Sequence, residues 1–383
     1  MVGAGGWLRT LRRIAPGAEK RRLAAEDEAA RLCNAGDAGA ATEFCAAALL
    51  DWPASGRLNY LMGECFFRQG QYAAAAERFL AAKNHSQEFP LVLYAELNHA
   101  LALCRTEAGS ALALPLQQPA AIPFVSIIIC SIDDRKFESV TAAYESLFAA
   151  VPHEIIRIAD ARSLTEGYNR GMDRSRGELL IFSHDDVRPV NPDFALRVIS
   201  HLEHCDLLGV AGTSFLSGAA WVMAGWPFLA GQVGMDQTGG GISVTAYAPA
   251  NGMRTSGIQA LDGLFLAVRR DVATRHRFDA DTFDGWHMYD LDFSFRVAEA
   301  GHAVAVANDL LVVHNSKGEY RSEAWRRYEQ RFLAKFENRL AARGNTTAVE
   351  LCAVSVNSEG EWLRLAAARL AASGAAPRNP APS

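Results

Sequence analysis

The chain lacks any CxxC pair. Its seven cysteines, at 33, 45, 65, 104, 130, 205 and 352, are odd in number and scattered. That pattern argues against a zinc cluster or a disulfide framework, and a reducing cytosol is the simplest home for it. A basic excess is also missing. With 38 Lys/Arg against 43 Asp/Glu the net charge is −5, so no global field is available to hold nucleic acid. No GxxxxGK[ST] occurs, and no Gly-rich turn follows the first strand-like run, which sets aside a P-loop and disfavours a dinucleotide fold. The N-terminus has no continuous apolar stretch of the secretory kind. Between Leu207 and Met253 the only charge is Asp236, which imitates a membrane span. A spanning helix needs about 20 apolar residues in a row, however, and this stretch is broken by glycines, including the run 239–241, and by Pro227 and Pro249. A long adaptable loop is the expectation.

What remains is a 383-residue chain, 50% hydrophobic and 21% charged, a composition that suits a folded protein of two or three domains. Residues 1–18 form a basic segment with Trp7, Leu8, Leu11 and Ile14 on one helical face, readable as a solvated cap or as a membrane-surface helix. Residues 19–106 are Ala-rich and helical in pattern, and 107–123 hold Gly109, Pro115, Pro119 and Pro123 and read as a linker. Residues 124–340 alternate strand-like and helical runs, 341–370 form a C-terminal extension with a candidate strand at 349–356, and 371–383 are an Ala/Pro/Ser/Gly tail expected to fray.

The helical zone repeats. Asn59, Met62, Gly63, Phe66, Gly70, Tyr72, Ala75 and Phe79 follow the spacing of a 34-residue helix–turn–helix unit. Ala29, Leu32, Gly36, Ala41, Cys45 and Pro53 follow it one period earlier. This resembles two tetratricopeptide repeats, with a third half-formed around Leu91–Arg105. Such stacks bind protein partners on a concave face or serve only as packing scaffolds, and both readings stay open.

Chemistry gathers in the α/β zone. Phe124–Cys130 is a fully apolar, β-branched run and reads as a buried parallel strand. A helix around 138–150, a strand ending at Asp160, a helix around 164–174 and a strand from Gly177 to Phe182 follow. This β-α-β-α-β order predicts a parallel sheet with right-handed crossovers, and ligands of such sheets sit at the carboxyl ends of strands. Ser131–Asp134, Asp160 and His184-Asp185-Asp186 all fall at those ends. Carboxylates placed there suit Mg²⁺ or Mn²⁺ shared with substrate phosphates.

From Val125 to about Ser316 the chain resembles a family 2-type glycosyltransferase with the GT-A fold, a mostly parallel twisted sheet flanked by helices. The resemblance is carried by Asp160, by Tyr168-Asn169-Arg170-Gly171 in place of an R/N-N-x-G helix motif, and by His184-Asp185-Asp186 in place of the DxD metal motif. Downstream it is carried by Asp262-Gly263, Phe283-Asp284-Gly285-Trp286 and Tyr289-Asp290-Leu291-Asp292 in place of E-D-x-D, and by a strand ending at His314. Two positions depart from the pattern: His184 stands for the first Asp of DxD, and Tyr289 for the Glu of E-D-x-D.

The resemblance implies metal-dependent, inverting transfer of a sugar from a nucleotide-diphosphate sugar to a hydroxyl acceptor, which could be a glycan, a lipid-linked molecule or a protein. Asp290 is implied as the base that removes the hydroxyl proton, with Asp292 as the alternative and a helix cap as the plain reading. Asp186 is implied as metal ligand, with His314 as a second ligand or a strand-end histidine bonded to a carbonyl. Ser131, Asp160, Asn169, Arg170, His184 and Asp185 are candidates for the nucleotide sugar, and Trp286, Asp262 and Gly263 for the donor or acceptor sugar; Trp221 and Trp226 can stack on a sugar or, more in keeping with a single Trp, pack in the core, and Lys317 reads as a solvated lysine before a phosphate contact. The Gly-rich stretch 217–257 would cover the site and close over it. The implied setting is cytoplasmic, with at most peripheral membrane contact. Two alternatives stand beside this: a repeat scaffold whose transferase-like domain is inactive, and, more weakly, a nucleotidyltransferase.

Overall fold

The computed structural model describes residues 17–316, 322–341 and 351–373. The amphipathic segment up to residue 16, Lys317, residues 342–350 and the tail from 374 lie outside the described residues. The chain divides into two compact units, the first ending at Ala113 and the second beginning at Leu114.

Among its described residues the first unit has five α-helices, α1 Ala18–Asn34, α2 Ala38–Asp51, α3 Gly56–Arg68, α4 Tyr72–His85 and α5 Leu91–Cys104. Their starts are written in the sequence. The Asp37 carboxylate accepts from the Ala40 amide, and the Ser55 hydroxyl from the Leu58 amide, satisfying donors that a helix start leaves open. Gly36 and Gly70 turn the chain at φ +82° and +74°. Gly63 lets α3 and α4 approach closely, because a Cβ there would sit 2.8 Å from the Phe79 ring.

The second unit is an α/β domain. Its elements are β1 Val125–Cys130, α6 Asp134–Leu147, β2 His153–Ile158, α7 Leu164–Arg174, β3 Leu179–Ser183, β4 Val187–Pro189, α8 Phe194–Leu202, β5 Leu207–Gly209, β6 Ala211–Thr213, β7 Leu229–Asp236 and β8 Ile242–Ala246. They continue with β9 Arg254–Ser256, β10 Ala260–Leu261, β11 Phe265–Arg269, α9 Arg270–His276, α10 Tyr289–Glu299, β12 Val304–Ala307, β13 Val312–His314, α11 Glu323–Phe336, β14 Cys352–Val356 and α12 Glu359–Ser373. The main sheet runs β2-β1-β3-β11-β5-β12-β9. β1 is parallel to β2 and β3, as its continuous apolar run predicts. The sheet is mixed rather than mostly parallel, because β11 enters antiparallel between β3 and β5, and β9 pairs antiparallel with β12. Helices cover both faces, so β3 is buried throughout and β1 everywhere but at Cys130. A second sheet, β10-β6-β7-β13-β4, carries the β7–β8 hairpin, with β14 added to β8.

The glycine-rich stretch 217–257 is not one long loop, although Trp221, Met235 and Tyr247 from it line the larger cavity of the candidate site. Residues 229–236 and 242–246 form the β7–β8 hairpin. In β8, Ile242, Val244 and Ala246 point inward, the period of two of a strand. The glycines are needed for turning and for space: Gly239, Gly240 and Gly241 have φ of +97°, +101° and +86°, and a Cβ at Gly234 would lie 2.6 Å from the Trp362 ring.

α11 packs back on the domain as its three- and four-residue spacing predicts. Trp325, Tyr328, Phe332 and Phe336 are buried with Phe283, Leu291 and Phe295. Each such side chain contributes about 1.5–3 kcal/mol on burial. No helix among the described residues is long and apolar enough to cross a membrane.

Candidate active site

Strand pairing assembles the site. β3 ends at Ser183, and its end is held by two buried tyrosines: Tyr144 donates to the Ser183 hydroxyl at 2.9 Å and Tyr168 to its carbonyl at 3.2 Å. His184-Asp185-Asp186 leads from there directly into β4. β13 pairs antiparallel with β4 so that His314 lies opposite Val187, one residue from Asp186. The His184 amide donates to the Leu264 carbonyl at 3.1 Å, which brings Asp262-Gly263 alongside. The Gly263 amide then donates to Asp290 Oδ2 at 2.9 Å from the first turn of α10.

Two features result. In the first, His184, Asp186 and His314 offer ligand atoms within 4.8 Å of one another. His314 Nε2 is 3.3 Å from Asp186 Oδ1, and His184 Nδ1 is 3.3 Å from His314 Nε2. Burial and the neighbouring His314 push the His184 imidazole down to about 4, so it is neutral at pH 7. Burial opposes ionisation of Asp186, but its bond to His314 and the nearby His184 prevail and hold the carboxyl below its usual range. Two histidines and one ionised carboxylate converging on one point fit a divalent ion.

The second feature is a carboxylate pair. Burial, and then the charge of Asp262, push Asp290 up to about 7. A carboxylate so poised can take up a proton near neutral pH.

Two cavities meet here. The smaller, about 270 Å³, is lined by Ser131, Ile158, Ala161, His184, Asp185, Asp186 and Trp286. The larger, about 1000 Å³, is lined among others by His184, His314, Asp262, Asp290, Trp221 and Trp286. Trp286 is half exposed between them. Its turn is pinned, since Leu164 N–H donates to the Gly285 carbonyl at 3.1 Å and Thr165 Oγ1 to the Phe283 carbonyl at 2.6 Å. Ser131 donates to Asp185 at 2.7 Å, closing the floor of the smaller cavity.

Several sequence candidates fall elsewhere. Both ends of the Asn169 amide are spent on the Phe278 backbone, at 2.8 and 3.0 Å, so it clamps α7 to the loop before α10 rather than facing a nucleotide. Asp160 is exposed and pairs with Arg170 at 2.9 Å, and Arg170 is also held by Glu166. Asp292 is not the alternative base. It is fully buried and ion-paired to Arg296 and Lys335. Truncating it removes a carboxylate from both cations, leaving Lys335 with Asp279 and Arg296 with the His276 and Arg277 carbonyls, so Asp292→Ala is expected to destabilise the protein by about 1.5–3 kcal/mol, read from denaturant unfolding. Trp221 is buried, and its indole N–H donates to Asp262 at 3.2 Å, which removes it as a free stacking surface. The sequence pattern did not single out His184 as a partner of Asp186, nor Tyr289 as a partner of His184. The only signal was that both sit where the family pattern has acids.

The family described as "Glycosyltransferase like family" matches residues 126–336, more than half of the chain. The chain belongs to this glycosyltransferase-like family. Its transferase domain thus holds every site residue above. Among solved structures, similarity extends to the mannosyltransferase PcManGT from Pyrobaculum calidifontis in complex with GDP-Man and Mn²⁺. That match has 13% identity and a TM-score of 0.35, over 80% of this chain and 88% of that one. GalNAc-T7 with UDP, GalNAc and Mn²⁺ matches at 11% identity and a TM-score of 0.31, over 54% of this chain and 45% of that one. A197 from STIV matches at 11% identity and a TM-score of 0.30, over 51% of this chain and 87% of that one. No curated protein sequence matches the chain.

Proposed function

We propose that this glycosyltransferase moves a sugar from a nucleotide-diphosphate sugar to a hydroxyl acceptor with inversion, using Asp290 as base and a divalent ion, Mn²⁺ or Mg²⁺, at Asp186 and His314. One observation carries the reading: the larger cavity is lined at once by the carboxylate raised to about 7, Asp290, and by two histidines of the cluster, His184 and His314. The smaller cavity takes the nucleoside end, edged by Ser131 and Asp185. The larger takes the acceptor. Trp286, facing both, offers a flat apolar face to a sugar ring.

The chain's own groups then divide the work. Asp290 accepts the acceptor hydroxyl proton on the oxygen not held by the Gly263 amide. Burial, and then Asp262, keep that carboxylate basic enough to act near pH 7. A divalent ion at the cluster would supply charge stabilisation for the leaving diphosphate.

In the helical unit, α2 and α4 begin at Ala38 and Tyr72, one 34-residue period apart. That spacing supports a tetratricopeptide-like unit able to bind a protein partner.

The test is transfer from a panel of nucleotide sugars to sugar, lipid-linked and peptide acceptors, with the anomeric configuration of the product read by NMR. A product of configuration opposite to the donor is expected. Retention would remove Asp290 from the role of base.

A further inference from the structure

The two positions at which this chain departs from the DxD and E-D-x-D patterns touch each other. His184 Nε2 and the Tyr289 hydroxyl lie 2.6 Å apart, although 105 residues separate them in sequence. The other ring nitrogen, Nδ1, faces the cluster, 3.3 Å from His314 Nε2 and 3.9 Å from Asp186 Oδ1. Tyr289 is buried at the start of α10, packed on Tyr168 and Phe278 at ring separations of 5.9 and 6.3 Å. It cannot swing away without opening the core. Gly263 leaves room for the hydroxyl, since a Cβ there would lie 2.1 Å from it.

We infer that His184 and Tyr289 act as one unit. Tyr289 is a positioning residue that orients His184 as a third metal donor, and the resulting two-histidine, one-carboxylate set selects a transition-metal ion over Mg²⁺. Imidazole carries its proton on one nitrogen only, and the tautomer with the proton on Nε2 leaves the Nδ1 lone pair for a metal. The Tyr289 oxygen can accept that Nε2–H bond. Outer partners of this kind fix ring orientation in metal sites. Mg²⁺ prefers oxygen donors, whereas Mn²⁺ and more strongly Co²⁺ accept imidazole. An Asp at 184 would give an oxygen-rich site, and the His–Tyr pair replaces it with a nitrogen donor. This rests on reading the cluster as a metal site, as proposed above.

The experiment needs no turnover. Full-length protein is titrated with CoCl₂ and followed by visible absorption, alone and with UDP or GDP present. Bound Co²⁺ is then displaced with Mn²⁺ or Mg²⁺. Wild type is expected to bind Co²⁺, with Mn²⁺ competing at least roughly tenfold better than Mg²⁺. Tyr289→Phe, which removes only the hydroxyl, is expected to weaken Co²⁺ binding about 10–100-fold. His184→Asp is expected to narrow the Mn²⁺/Mg²⁺ gap. Mg²⁺ competing as well as Mn²⁺, Tyr289→Phe binding Co²⁺ like wild type, or an unchanged gap in His184→Asp would each overturn the inference. Should circular dichroism show Tyr289→Phe unfolded, wild type and His184→Asp decide it. Failure of wild type to bind any divalent ion, with or without diphosphate, is a separate result that removes the metal site itself.

Discussion

Asp290→Asn is expected to stop sugar transfer while making the protein more resistant to heat at pH 8. The two effects share one cause. Burial and Asp262 raise the Asp290 carboxyl from its ordinary 3.8 to about 7, so the folded state prefers it protonated. In the unfolded chain it ionises near 3.8. Folding therefore carries no penalty from this group below about pH 4, a growing penalty as pH rises towards 7, and the full penalty above that. Asparagine keeps the shape and can still accept from the Gly263 amide, but it never ionises. The melting temperature should rise by roughly 5 °C at pH 8 and hardly change at pH 4. Loss of a general base lowers the rate by about 10²–10⁴-fold. Asp262→Asn supplies the companion result: with its charge gone, the acidic limb of the kcat/KM profile, near pH 7 in wild type, should move to lower pH. An unmoved limb would mean that another group titrates there.

Gly263→Ala should strongly damage the candidate site. A Cβ at this position would lie 2.1 Å from the Tyr289 hydroxyl and 2.7 Å from Asp290 Cβ. The Tyr289 ring is buried against Tyr168 and Phe278, and both Tyr289 and Asp290 belong to the first turn of α10, so neither neighbour yields cheaply. Overpacking of this kind costs about 1–3 kcal/mol. The effect on function should be larger than the effect on stability. The same shift moves the base that the Gly263 amide holds and separates Tyr289 from His184. We expect at least a hundredfold loss of transfer, in line with the cost of a small misplacement in a reacting geometry, from protein that still unfolds cooperatively. Urea unfolding and turnover measured on one preparation check both parts. Near-normal turnover would show that the Gly263–Asp290–Tyr289 contact is not part of the working site.

Much of this site was legible because strand ends are legible. Apolar β-branched runs such as Val125–Cys130 declare buried strands, and the polar residues that follow them, Ser131 and His184–Asp186, must emerge at one edge of the sheet. What joined them to distant partners was register, which periodicity does not reveal. His314 meets Asp186 because β13 pairs antiparallel with β4, and Gly263 meets His184 because β11 runs antiparallel to β3. Asp290 and Asp292 could not be separated by pattern. They lie about 200° apart around α10, so one faces the cavity and the other the Lys335 anchor, and only packing tells which. The glycines of 217–257 misled for a different reason. A high glycine count suggests flexibility, whereas here it serves a hairpin turn and the close approach of Trp362.

The most direct test of the combined site is nucleotide release from a panel of UDP-, GDP-, CMP- and dTDP-sugars with Mn²⁺, supplied with acceptors, comparing wild type with Asp186→Ala and Asp290→Asn. Metal-dependent release from one nucleotide class is expected, lost in Asp186→Ala and strongly reduced in Asp290→Asn. Release that persists undiminished in Asp186→Ala, or no release together with no thermal shift from any nucleotide and metal, would contradict it.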